Sequence, residues 1–260
     1  MIQKAKLGGC DMDNAAIRQD ERRPVIHVYG DSILKGIVMD RETGQYVPMR
    51  NDDFCAISTK YAVDVVNKSK FGYTAERGWA LLSRALTKQK PCDILVLEYG
   101  GNDCNHNWLE VSQAPEEAHA PVTLLEHFRA TMKQMIDSVR AIGITPVLVS
   151  LPPIHAQRYL DHIVATTVGT DADKIVSWLG DVQMIYRFQE LYSSAVTKLA
   201  WETGVPYVDI RAAFLDRHNY ETLLCEDGIH PNEAGHALIA QTFERAAEQL
   251  FGAGHTAVPA

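Results

Sequence analysis

Val25-Ile26-His27-Val28-Tyr29-Gly30-Asp31-Ser32 is the stretch that decides how this chain folds. Its first five residues are a short, mostly apolar run of the kind that forms a strand buried on both faces of a sheet. The run stops at a glycine. A strand that ends there and turns into a helix leaves its next polar side chains at the carboxyl edge of the sheet. Open α/β sheets place their chemistry at that edge. Ser32 is therefore a candidate nucleophile.

Outward from this stretch the same pattern repeats. Ala62–Val66, Ile94–Glu98, Pro146–Ser150 and Tyr207–Ile210 are further strand-like runs. Helical spacing separates them. Trp79, Leu82 and Leu86 form one stripe. Leu125, Phe128, Met132, Met135 and Val139 form another, which closes at Gly143. A last helix opens near Asn232 and carries Leu238, Ile239, Phe243, Ala246 and Leu250. Strand–helix alternation of this kind predicts an α/β fold. We expect a mainly parallel five-stranded sheet in an α/β/α sandwich over 24–251. Residues 1–23 read as a polar lead-in and 252–260 as a tail.

One segment exceeds a simple crossover. Between about 152 and 200, Val182, Ile185, Phe188, Tyr192, Ala195 and Leu199 mark a long helix. The stretch before it holds Tyr159, Ile163 and Trp178. This helical insertion is either an elaborated crossover packed on the sheet or a cap that narrows a pocket.

Composition narrows the function. The net charge of −8 speaks against a nucleic-acid partner, which needs a basic face. No stretch approaches the ~18 consecutive apolar residues of a membrane span. The first residues carry no apolar signal-peptide core, so a cytoplasmic location is expected. The five cysteines (Cys10, Cys55, Cys92, Cys104, Cys225) are odd in number and lack Cys-x-x-Cys spacing. That pattern fits thiols in a reducing compartment rather than a zinc ribbon or a full set of disulfides.

A serine hydroxyl needs a general base to become a nucleophile. His230 is the best of the ten histidines, because Asp227-Gly228-Ile229-His230-Pro231 places a carboxylate one tight turn away. That carboxylate can fix the imidazole tautomer and stabilise the imidazolium. Pro231 biases His230 toward an extended backbone at a helix entry. Donors for an oxyanion come from three places: a backbone N–H at the start of the helix expected after Ser32, since helix N-termini favour negative charge, the Asn102 amide in Gly100-Gly101-Asn102-Asp103, and Gly72. Taken singly these residues have plainer readings. Ser32 suits a helix N-cap, Asn102 and Gly72 suit turns, and His230 suits a helix entry. It is their order, each at a strand end or a helix start, that favours catalysis.

The four segments together resemble the SGNH hydrolases, the GDSL esterase and lipase superfamily. The first block reads Gly30-Asp31-Ser32, with Ile33 where the family name has leucine. The second block's glycine falls on Gly72, within Asn67 to Thr74. The third reads Gly100 to Asp103 and the fifth Asp227 to Pro231. The resemblance implies a flavodoxin-like fold and a serine acylhydrolase. It implies Ser32, Asp227 and His230 as triad and Ser32, Gly72 and Asn102 as oxyanion donors. The expected partner is a small-molecule ester, with short acyl or acetyl groups favoured, and neither cofactor nor metal is called for. The insertion matches no family block. An acyltransferase with the same triad and a non-catalytic binding module are the competing expectations.

Lesser candidates surround these. His106 and Trp108 follow Asn102 closely and are possible pocket residues. Cys104 reads as a packed thiol, and Glu98 as a carboxyl that tunes the nearby loop. Asp11-Met12-Asp13-Asn14 reads as a solvated turn, since it lacks the glycine of a calcium loop.

Overall fold

The computed structural model describes residues 22–49, 54–87 and 91–251. The expected tail, Asp11 to Asn14, Cys10 and most of the lead-in lie outside these residues. Seven strands occur among them: β1 (Val25–Gly30), β2 (Ile37–Met39), β3 (Tyr46–Pro48), β4 (Asp64–Asn67), β5 (Ile94–Glu98), β6 (Thr145–Val149) and β7 (Tyr207–Val208). The helices are α1 (Cys55–Lys60), α2 (Ala75–Leu86), α3 (Trp108–Gln113), α4 (Leu125–Ala141), α5 (Ala156–Thr166), α6 (Ala172–Leu179), α7 (Gln183–Thr203), α8 (Ile210–Leu215) and α9 (Glu233–Phe251).

The main sheet has five strands in the order β4-β1-β5-β6-β7. Every pairing in it is parallel. Chain connections leave β1 toward opposite sides of the sheet, first to β4 and then back across to β5. That reversal is the switch point of a flavodoxin-like sheet, and the crevice outside it is where such folds bind ligands. Ser32 follows β1 directly, so topology alone delivers it to that crevice.

Although the strands are continuously apolar, their side chains alternate between two cores. Tyr29, Leu95, Leu97 and Leu148 face α2, α4 and α7, meeting Leu82, Phe128, Met132, Met135 and Val196. Val28, Val96, Val147 and Val149 face α1, α8 and α9, meeting Ile57, Phe214, Ile239 and Phe243. Each such side chain stabilises the fold by about 1.5–3 kcal/mol on burial. The three-layer sandwich is the consequence.

The insertion divides between both expected behaviours. The later part of α7 packs on the sheet through Tyr192, Val196 and Leu199. Its beginning joins α3, α5 and α6 in a third core around Trp108, Val111, Leu160, Ile163, Ile175 and Ile185. This small core stands over the carboxyl edge of the sheet and walls the crevice.

Element boundaries depart from expectation for local reasons. No helix follows Ser32. Asp31 to Gly36 form one tight turn, with Lys35 N donating to Asp31 O at 3.1 Å and Gly36 N to Ile33 O at 3.0 Å. Ile37-Val38-Met39 then enters a two-stranded antiparallel ribbon with β3. The apolar run Ile37–Met39 favours a strand over helix continuation. Strand β4 starts at Asp64 rather than Ala62, because Ala62 sits in the left-handed region at φ 51°. Strand β7 ends at Val208 because the Asp209 carboxylate caps α8, accepting from Ala212 N at 3.0 Å. Asn232 caps α9 in the same way, accepting from Ala234 N at 3.0 Å and Gly235 N at 3.1 Å.

Candidate active site

Ser32, His230 and Asp227 meet at the carboxyl end of β1, and all three are buried. His230 Nδ1 lies 2.6 Å from Asp227 Oδ2 and His230 Nε2 lies 2.9 Å from Ser32 Oγ. With a proton on Nδ1 donated to the carboxylate, Nε2 is free to accept the serine hydroxyl proton. The loop that carries this pair is short and self-bonded. Asp227 Oδ1 accepts from Ile229 N at 3.0 Å and from His230 N at 3.1 Å. Gly228 makes the turn possible at φ 75°, and its backbone approaches α5 so closely that a Cβ there would stand 2.7 Å from His155 O. Burial alone would push the Asp227 carboxyl up. The hydrogen bond to His230, the charge of His230 and the two backbone N–H groups outweigh it and hold Asp227 below its ordinary value.

Asn102 comes from the loop after β5 and reaches the same edge. Its Nδ2 donates to Asp31 Oδ2 at 3.0 Å and to Tyr73 O at 3.1 Å. Asp31 is itself fixed, since Oδ1 accepts from Ile33 N at 2.9 Å. Asp103 ties this loop to the start of α2 by accepting from Ala75 N at 3.0 Å. Gly72 turns at φ 70° and lines the same cavity as Ser32 and Asn102. Because Ser32 lies in a turn, its N–H lacks the aligned dipoles of a helix N-terminus. The expected helix contribution at that donor is therefore absent.

Beneath Asp31 sits Glu98, fully buried and opposite Gly30 in the β1–β5 register. Asp31 N donates to Glu98 Oε2 at 3.4 Å. Burial first, and the Asp31 carboxylate beside it second, push the Glu98 carboxyl well above its usual range. Burial also raises Asp31, against the Ile33 N–H and the charge of His230. The Asp31 carboxylate this close disfavours the charged form of Glu98. Asp103, buried as well, is raised to about 6.

Sequence patterns did not single out three residues around the triad. Tyr46 of β3 donates its hydroxyl proton to Asp227 Oδ2 at 2.9 Å. The same phenol oxygen lies 3.1 Å from His162 Nε2 on α5. The Tyr46 ring is 4.7 Å from the His230 ring, and the Phe71 ring lies parallel to His230 at 6.1 Å. Two aromatic rings thus hold the imidazole plane, and one hydroxyl completes the carboxylate. Tyr46 also keeps its own proton, because burial and the Asp227 charge push its phenol far above the usual range.

These groups open on a cavity of about 430 Å³. His106 and Trp108 line it, as do Tyr159, His162, Ile163, Ile185 and Phe188 of the insertion. His106 is surrounded by Trp108, Trp178 and Phe188, with ring centroids at 5.5, 5.2 and 4.7 Å. Burial, aided by the neighbouring His119, lowers it to about 4, so it is a neutral wall at physiological pH. Cys104 is buried, and burial pushes its thiol far above the usual range, away from thiolate chemistry. Among the described residues no group of three or more His, Cys, Asp or Glu side chains is placed to hold a metal ion. No described helix is long and apolar enough to cross a membrane.

Comparison with known proteins finds similarity over most of the chain. Residues 28–238 match the GDSL-like Lipase/Acylhydrolase family. The GDSL esterase/lipase CPRD49 of Arabidopsis thaliana is 22% identical over 233 residues, covering 84% of this chain and 76% of that protein. Among solved structures, the lipase/acylhydrolase from Enterococcus faecalis superposes with a TM-score of 0.59 at 18% identity, over 88% of this chain and 96% of that one. A catalytic mutant of Axe2, an acetylxylan esterase from Geobacillus stearothermophilus, superposes at 0.57 with 20% identity, over 86% and 94%. At such identities the two structures establish the shared fold.

Proposed function

The chain belongs to the GDSL-like lipase/acylhydrolase family and is a carboxylic ester hydrolase of that type; on this premise we propose that it works through a covalent acyl-enzyme on Ser32. The observation that carries the proposal is the unbroken line from Ser32 Oγ through the His230 ring to Asp227, opening on one cavity with Asn102. Ser32 Oγ attacks the ester carbonyl while His230 Nε2 takes its proton. Asp227, with Tyr46 beside it, holds the imidazole in the tautomer that can do so and stabilises the imidazolium that forms. His230 returns the proton to the departing alkoxide. Water, activated by the same nitrogen, then releases the acid.

The oxyanion is assigned to Ser32 N–H, Gly72 N–H and the Asn102 amide. Both protons of Asn102 Nδ2 already have acceptors, so one must be re-aimed. A developing oxyanion is charged and forms bonds roughly twice as strong as a neutral carbonyl does. It therefore displaces Tyr73 O, while Asp31 keeps the other proton and fixes the amide. The cavity is at the small end of ligand sites. Its size and the acetylxylan esterase among the structural neighbours favour short acyl or acetyl esters.

The test is an ester panel of increasing acyl length on the purified protein, wild type beside Ser32→Ala. The wild type is expected to prefer the short members, and Ser32→Ala to lose turnover by several orders of magnitude while remaining folded. Turnover that survives in folded Ser32→Ala would reject the acyl-enzyme.

A further inference from the structure

Asn105 lies in the loop after the oxyanion asparagine and lines the cavity. Its backbone is pinned by Val122 N, which donates to Asn105 O at 2.7 Å. Its side chain is fixed by two donors on one atom. Trp108 Nε1–H donates to Oδ1 at 2.8 Å and Tyr159 O–H donates to the same Oδ1 at 3.0 Å. An indole N–H can only donate, so the atom that it meets must be the amide oxygen. The orientation of the amide follows. Oδ1 faces Trp108 and Tyr159, and Nδ2 carries two N–H groups that meet no acceptor among the described residues.

The cavity wall includes the hydrocarbon and aromatic side chains Ile154, Ile163, Ile185 and Phe188 beside the polar His162, Thr166, Thr167 and Gln189. When a ligand displaces water from the cavity, an amide donor left without an acceptor costs free energy. A substrate oxygen seated there removes that cost, and a methylene of the same size does not. A site built to donate a hydrogen bond discriminates against an analogue lacking the acceptor more strongly than an apolar pocket discriminates by size.

Resting on the acyl-enzyme reading above, we propose that Asn105 is a specificity-determining donor. It selects esters that carry a further oxygen acceptor, as hydroxylated and ether-bearing esters do, over hydrocarbon esters of the same shape. Trp108 from α3 and Tyr159 from the insertion are its positioning residues. The insertion thereby contributes to substrate choice without touching the triad serine.

Two isosteric pairs test this, one for each side of the ester bond: tetrahydropyranyl against cyclohexyl acetate, and ethyl methoxypropionate against ethyl valerate. The reading is the kcat/KM ratio of the oxygen-bearing member to its hydrocarbon partner. The wild type is expected to favour the oxygen-bearing member about tenfold or more in at least one pair, the worth of one good neutral hydrogen bond. Asn105→Asp keeps an oxygen for Trp108 and Tyr159 but turns the donor into an acceptor. It is expected to remove that preference, as is Asn105→Leu. A wild type with equal kcat/KM in both pairs would overturn the proposal, and so would a preference that survives in Asn105→Asp. Binding of the same pairs to Ser32→Ala, read by calorimetry, needs no turnover. It decides for Asn105 if the oxygen-bearing member binds more tightly and against it if the members bind equally, even should the wild type cleave none of the four. That last result would reject the acyl-enzyme separately.

Discussion

Asp227→Asn replaces one oxygen by an NH2 group in a place where four donors converge. Two of them, Ile229 N and His230 N, meet Oδ1, while His230 Nδ1 and Tyr46 Oη meet Oδ2. The backbone N–H groups can only donate, so the one oxygen left on the substituted side chain must stay with them. The new NH2 then faces His230 Nδ1. It can donate there but cannot accept. His230 answers by moving its own proton to Nε2, where it points at Ser32 Oγ and occupies the position the base requires. The side-chain shape is unchanged and the loop bonds survive, so the protein stays folded. Loss of the productive tautomer costs about 10⁴-fold in kcat, equivalent to about 5.5 kcal/mol of barrier. Steady-state hydrolysis of a short aryl ester measures it, with circular dichroism as the fold control. A folded Asp227→Asn protein within tenfold of wild-type kcat would refute the reasoning, because the tautomer would then not be set by Asp227.

Further outcomes follow from the same contacts. Asn102→Ala is expected to lower kcat by about 10²–10³-fold with a smaller change in KM, since its donor acts on charge present only in the transition state; a change confined to KM would make it an ordinary substrate contact. Tyr46→Phe removes a bond to a carboxylate and is expected to lower stability by about 1.5–3 kcal/mol in denaturant titration; an unchanged midpoint would contradict that. Gly228→Ala places a methyl against His155 O at a left-handed φ, a combined cost of about 2–5 kcal/mol, and wild-type thermal stability would show that the loop can yield. Glu98 has a folded pKa raised above its unfolded value, so its contribution is fully present below the ordinary glutamate range and is lost as pH rises toward the folded value. Wild-type stability is therefore expected to fall by up to about 1.4 kcal/mol per pH unit over that window relative to Glu98→Gln. Parallel pH–stability curves for the two proteins would show that Glu98 carries no extra proton in the fold.

That Ser32, His230 and Asp227 meet is legible in the sequence because each stands at a point where chain pattern and topology coincide. Ser32 ends an apolar run, and Asp227 and His230 share one turn, so local sequence sets their spacing while the parallel sheet sets their meeting. The two cores are legible for a similar reason, since the stripes of α2, α4 and α9 need no long-range knowledge. Tyr46 is not legible. Its bond joins residues 181 positions apart, and it rides on a ribbon of three-residue strands that no periodicity announces. Asp31 looks like the spacer of a motif, yet its carboxylate holds Asn102 and leans on Glu98. The turn after Ser32 reads as a helix because Ile33 and Leu34 are apolar and follow a residue suited to an N-cap. Gly36 and the Ile37–Met39 strand decide otherwise. The amide orientation of Asn105 depends on two donors that come from different elements, and a sequence holds no trace of such convergence.

The central claim is a covalent intermediate on Ser32, and labelling with a fluorophosphonate followed by peptide mass mapping tests it most directly. The account predicts one adduct, on the peptide that contains Ser32, rising in step with the loss of ester turnover and absent from His230→Ala. An adduct on any other residue, or full turnover by the labelled protein, would contradict it.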